Sequence, residues 1–148
     1  MSDEKPRILI ADDNAANVEL LEAYLAGLDC DTEIAVDGRD TLDKVASFHP
    51  HVILLDVMMP KLSGFEVCQE IKSQDETRGI MILMVTALNE LGDIERAVQA
   101  GTDDFLSKPV NKVELLKRVD NMLRLRHVND EVERLRRYIE QMEESAGP

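Results

Sequence analysis

Tryptophan is absent, and aromatic residues make up only 3% of the chain. Its two cysteines, Cys30 and Cys68, stand far apart, in neither a zinc-ligand spacing nor a CxxC pair. That excludes a cysteine-built zinc site and a dithiol redox motif, and both cysteines read as reduced thiols of a cytosolic protein. No apolar run approaches the roughly 20 residues needed to cross a bilayer. The opening MSDEKPRILI lacks the charged-then-apolar layout of a secretory signal. A cytoplasmic location with no membrane partner is expected. Positive charge is scarce as well: 17 Lys and Arg face 30 Asp and Glu, a formal net charge of −13. The deficit is local, because residues 1–111 carry 22 acidic and 9 basic side chains while residues 112–148 carry 8 of each. Such a surface repels a phosphate backbone, which argues against direct nucleic-acid binding.

What is present is organised around one stretch, His51 to Pro60, HVILLDVMMP. Val52–Leu55 is an uninterrupted apolar run, the pattern of a strand buried on both faces, and Asp56 follows it directly before Pro60 ends further pairing. A carboxylate at the mouth of a hydrophobic strand is costly unless compensated. In an open parallel sheet the carboxyl ends of the strands are where ligands bind, so Asp56 reads as a site residue, with a helix cap as the plainer alternative.

At 148 residues the chain suits one domain of about 110–125 residues plus an appendage. Arg7–Ala11 is a first strand, stopped by Asp12, Asp13 and Asn14; Asn14 suits the cap of a helix with Val18, Leu21, Leu25 and Leu28 on its inner face. Thr32–Val36 is a second strand, closed by Asp37-Gly38, and Thr41, Leu42, Val45 and Phe48 face inward from a second helix. His49-Pro50 stops that helix and leads into the central strand. After a turn at Ser63-Gly64, Phe65, Val67, Cys68 and Ile71 mark a third helix. Ile80–Val85 is a fourth strand with Thr86 at its end, and Leu91, Ile94, Ala97 and Val98 mark a fourth helix ending at Gly101. A weak fifth strand, Asp104–Ser107, runs into Lys108-Pro109. Strict alternation of five strands and five helices predicts an α/β fold, a doubly wound parallel sheet of order 2-1-3-4-5.

That order brings the first and third strands together and gathers Asp12, Asp13 and Asp56 at one crevice. Three converging carboxylates repel one another, and at least one pKa must rise unless a cation neutralises them. An all-oxygen donor set selects a hard ion, most naturally Mg²⁺. Thr86 and Lys108 would face the crevice from the other side, a hydroxyl and an ammonium suited to phosphoryl oxygens.

Asp12-Asp13, Asp56, Thr86-Ala87 and Lys108-Pro109, with MMPKLSG after the central aspartate, closely resemble the receiver domain of two-component response regulators from about Arg7 to Leu123. The resemblance implies a flavodoxin-like phosphoacceptor switch rather than a turnover enzyme. Asp56 would take a phosphoryl group from a histidine kinase or phosphotransfer protein. Mg²⁺ would be bound by Asp13 directly, by Asp12 partly through water, by Asp56 and by the backbone carbonyl of Met58. Thr86 would move to hydrogen-bond the phosphoryl group, Lys108 would pair with another of its oxygens, and Lys108-Pro109 would be a cis peptide. Phe105 matches the switch aromatic that turns inward once Thr86 moves; a permanently buried core ring is its plainer reading. The face formed by the fourth helix, fifth strand and fifth helix would carry the signal. Met58 and Leu88, two residues past Asp56 and Thr86, flank the site with apolar side chains that orient no water, which predicts slow autodephosphorylation.

The fifth helix should start near Lys112 and run past residue 123, the expected end of the receiver domain. In the 124–148 extension, Leu125, Val128, Val132, Leu135, Ile139 and Met142 recur in steps of three and four, a heptad seam whose composition favours a parallel homodimer coiled coil. Glu131 at g would then meet Arg136 at the partner's e. A single amphipathic helix folded back on its own domain is the alternative. His127 falls at a solvated position, and His49 and His51 suggest no metal. The start of the chain looks natural and its end cut, so an output domain is expected to follow. Two other functions compete. A Mg²⁺-dependent phosphatase of the haloacid dehalogenase type also places an Asp after a buried strand, but it wants a second Asp where Met58 stands. A pairing module that never takes phosphate would work through the seam alone.

Overall fold

The computed structural model describes residues 5–87 and 91–145. Five strands, β1 (Arg7–Ala11), β2 (Asp31–Ala35), β3 (Val52–Leu55), β4 (Met81–Thr86) and β5 (Asp104–Ser107), alternate with five helices, α1 (Ala15–Leu25), α2 (Gly38–Phe48), α3 (Gly64–Lys72), α4 (Leu91–Ala100) and α5 (Lys112–Ser145). The strands form one sheet of order β2-β1-β3-β4-β5, every pair parallel. This is the order expected from right-handed crossovers.

Alternation along the strands divides the core into two layers. Leu9, Ile53, Leu55, Ile82 and Met84 pack with α2, α3 and α4 residues such as Val45, Val67, Ile71 and Ala97. Ile8, Ile10, Val52, Leu54, Leu83 and Val85 pack on the other face with Val18, Leu21 and Leu25 of α1 and Leu115, Val119 and Met122 of α5. Because β1, β3 and β4 contribute to both layers, their sequences carry no polar alternation.

Local chemistry sets the ends of the elements. Asn14 caps α1 through Asn17, Asp37 caps α2 through Asp40, and Ser63 with Glu66 forms a capping box on α3. His49 closes α2 in the left-handed conformation at φ 53°, and Gly101 follows α4 at φ 94°. Lys72 closes a second corner: its ammonium lies 2.7 Å from Asp103 Oδ2 and donates to the carbonyl of Ile80 at 2.6 Å.

The structure departs from the sequence reading in several places. β2 begins one residue early and releases Val36 to solvent, β4 begins at Met81 rather than Ile80, and Leu28 lies past the end of α1. Gly38 is the first residue of α2 rather than part of a strand-ending turn. The inner face of α4 is the larger correction. Leu91 and Val98 are 72% and 67% exposed and Ile94 is also exposed, whereas Ala97 and Ala100 are buried. Small side chains let α4 approach closely, and the guanidinium of Arg96 lies 4.2 Å from the centroid of the Phe65 ring on α3.

α5 is continuous for 34 residues. Its first turns supply Leu115, Val119 and Met122 to the core, and residues 132–144 are exposed throughout, so this stretch does not fold back on the domain. The side chains of 127–131, with Val128 and Glu131 of the expected seam and His127, lie outside the described residues. Among the described residues no helix is long and apolar enough to cross a membrane.

Candidate functional site

Asp12 and Asp56 occupy equivalent places at the carboxyl ends of adjacent strands. The Asp12 amide donates to Ala35 O at 3.0 Å and the Asp56 amide to Ala11 O at 2.9 Å, so the ladder holds both backbones just past the last paired residues. Only 2% of Asp12 and 6% of Asp56 is exposed. One oxygen of each carboxylate accepts from the backbone amide two residues on: Asp12 Oδ1 from Asn14 at 2.9 Å, Asp56 Oδ1 from Met58 at 3.2 Å. The other oxygen of each faces Lys108, whose Nζ donates to Asp12 Oδ2 at 3.0 Å and to Asp56 Oδ2 at 3.2 Å. One ammonium thus bridges two buried carboxylates. Burial works against the charge of Lys108, but the hydrogen bond to Asp12 and the negative charges of Asp56 and Asp12 outweigh it, and its pKa stands above that of an ordinary lysine.

Asp13 is exposed and completes the cluster, with one oxygen from each of Asp12, Asp13 and Asp56 within 4.8 Å of the others. Three carboxylates with no sulfur or imidazole donor fit a hard divalent cation such as Mg²⁺, and the exposed Asp13 leaves room for its waters.

Lys108 is positioned from both sides. Its amide donates to Thr86 O at 2.9 Å, and the peptide to Pro109 is cis. Thr86, the last residue of β4, is fully buried and pairs in register with Ser107. Phe105 is half-buried beside Met84 and packs on the α2–α4 layer. The structure therefore unites Asp12, Asp13, Asp56 and Lys108, sets Thr86 on the same sheet edge, and leaves Phe105 below that edge. The Met58 side chain is 63% exposed, and Leu88 lies outside the described residues.

Two glycines were legible only as turn markers. A Cβ on Gly64 would lie 2.4 Å from the carbonyl oxygen of Asp56 and 2.7 Å from Val57 Cα. A Cβ on Gly38 would lie 2.4 Å from the carbonyl oxygen of Leu62. Both approaches are to backbone, which cannot swing aside, so the loop after Asp56 packs tightly against the starts of α3 and α2. The sequence signals, Ser63-Gly64 and Asp37-Gly38, are present, but the through-space partners are not visible in them.

The family model of the response regulator receiver domain matches residues 8–120. The chain is 43% identical over 126 residues to the response regulator PleD of Caulobacter vibrioides, covering 85% of this chain and 28% of that protein. It is 40% identical over 119 residues to the DNA-binding dual master transcriptional regulator RpaA of Synechocystis sp., covering 80% of this chain and 49% of that one. This chain thus spans half or less of the length of these curated relatives. A CheY-like response regulator receiver domain protein from Methanospirillum hungatei superposes with a TM-score of 0.79 at 26% identity, over 85% of this chain and 99% of that structure.

Proposed function

From the premise that this chain belongs to the response regulator receiver family, a family of phospho-accepting switches in two-component signalling, we propose that Asp56 is its phosphoacceptor. The donor would be a histidine kinase or phosphotransfer protein. The observation that carries this reading is the bridge from Lys108 Nζ to both Asp12 and Asp56. It places a cation beside the attacking carboxylate, where phosphoryl charge will build.

Mg²⁺ would be held by Asp13, by Asp12 partly through water, by Asp56 and by the carbonyl of Met58. When bound, the ion supplies charge neutralisation for the phosphoryl oxygens. The chain's own residues do the rest. A carboxylate oxygen of Asp56 attacks phosphorus in line, the new P–O bond forms as the P–N bond to the donor imidazole breaks, and the donor retains the electron pair. Lys108 stays paired with the transferred group, and the Thr86 hydroxyl moves toward another oxygen. The space behind Thr86 admits Phe105, and the face of α4, β5 and α5 changes. Apolar Met58 and Leu88 orient no water, so the acyl phosphate is long-lived.

Residues 1–123 form the receiver domain in this reading, and 124–148 extend α5 into a parallel coiled coil with a second copy. In support, Leu125, Val132, Leu135, Ile139 and Met142 are all between 45% and 62% exposed on one helix. The deciding experiment is intact mass after incubation with acetyl phosphate and Mg²⁺, for wild type and Asp56→Asn, with light scattering on the same samples. A single phosphoryl adduct absent from the variant is expected. No adduct together with a constant dimer would instead favour a passive pairing module.

A further inference from the structure

The loop between β3 and α3 carries Met58 and is tied down at two places. On the α3 side the amide of Gly64 donates to Val57 O at 2.9 Å. On the other side it meets the start of α2: the Gly38 amide donates to Pro60 O at 3.3 Å, and Lys61 Nζ lies 3.3 Å from Asp37 Oδ2. Lys61 itself sits at φ 71°, a conformation that costs an L-residue free energy and persists where its surroundings impose it. Leu62 presses on Gly38 so closely that the position has no room for a Cβ. Met58 lies between the two ties, two residues from Pro60 and one from Val57.

We propose that Gly38, with Lys61 and Asp37, is a positioning element for the Met58 carbonyl, so that the start of α2 sets the affinity of the acidic crevice for Mg²⁺. The proposal rests on the reading of that crevice given above. Gly38 touches neither the cation nor the phosphoryl group and acts through the loop alone. A methyl group at residue 38 must push the 60–62 segment outward, and the carbonyl between the ties follows.

The test is Mg²⁺ titration by calorimetry on the intact chain, for wild type, Gly38→Ala, Lys61→Gln and Asp13→Asn. Gly38→Ala is expected to weaken Mg²⁺ about fivefold or more, and Lys61→Gln about twofold. The direction of the Lys61→Gln effect is diagnostic, because removing a positive charge from a chain of net charge −13 would by itself strengthen cation binding. Phosphorylation by acetyl phosphate should slow in Gly38→Ala at limiting Mg²⁺ and recover at saturating Mg²⁺, a split that general destabilisation does not produce. Unchanged or tighter Mg²⁺ binding in Lys61→Gln overturns the proposal, even if Gly38→Ala fails to fold. A wild type that binds no Mg²⁺, or binds it equally after Asp13→Asn, overturns the crevice reading and this proposal with it.

Discussion

The main-chain amide of Lys108 donates to the main-chain carbonyl of Thr86 at 2.9 Å. The residue that bridges the two buried carboxylates is therefore hung from the residue proposed to move when phosphate arrives. Displacement of the end of β4 and repositioning of the ammonium share one backbone link.

Replacing Lys108 with Met leaves Asp12 and Asp56 buried without their shared cation. We expect a loss of about 1–3 kcal/mol in stability without Mg²⁺, the cost of uncompensated buried charge in a crevice still reached by water. Added Mg²⁺ should restore part of it by binding the folded state. Urea unfolding with and without Mg²⁺ measures both.

The same pair makes a prediction in pH. The pKa of Lys108 is raised in the folded protein above the ordinary 10.5, so folding favours its protonated form. Its contribution is complete below 10.5 and is lost as pH climbs through the higher folded value. The Tm gap between wild type and Lys108→Met should stay level from neutral pH to about 10 and close above that. A gap that already shrinks between pH 7 and 9 contradicts this.

Gly64→Ala forces a methyl group against the Asp56 carbonyl and Val57 Cα. Overpacking against backbone should cost about 1–3 kcal/mol. Because it acts next to the acceptor, it should also slow phosphorylation at saturating Mg²⁺. Gly27→Ala, where the new Cβ would meet nothing within 4 Å, is the control.

Cys68 lies fully buried in the α2–α4 layer, where burial pushes its thiol pKa up to about 11. Cys30 is partly exposed. N-ethylmaleimide at pH 7.5 should add one label to the folded protein, at Cys30, and two after denaturation. Mass spectrometry counts them, and rapid double labelling of the native chain would show that the layer opens.

Leu135 and Ile139 lie on the exposed stripe of α5. If the seam pairs two copies, Leu135→Glu combined with Ile139→Glu should halve the light-scattering mass and leave Asp56 phosphorylation by acetyl phosphate intact.

The sheet was legible because Ile8–Ala11, Val52–Leu55 and Met81–Val85 are unbroken apolar runs and Asp12 and Asp56 directly follow two of them. Strand order then came from handedness, and the carboxylate cluster followed. Helix α4 was less legible. Steps of three and four show which residues share a face, but not what lies opposite, and Ala97 and Ala100 took the inner side by being small. The bridging role of Lys108 was half visible: its place at the end of β5 was expected, its contact with Asp12 was not. Gly38 and Gly64 were visible only as turn residues, since their close approaches join segments distant in sequence.

The unbroken run of α5 from Met122 into the exposed stripe fixes a compass bearing as well as a length. Each residue turns the stripe by 100° and advances it 1.5 Å. A one-residue insertion after Met122 would aim the stripe at a different quadrant relative to Asp56, while seven residues would lengthen the reach by about 10 Å at almost the same bearing. Spacer length between the packed turns and the stripe is thus quantised: seven or eleven residues return the stripe to within about 20° of its bearing, whereas one or two residues do not.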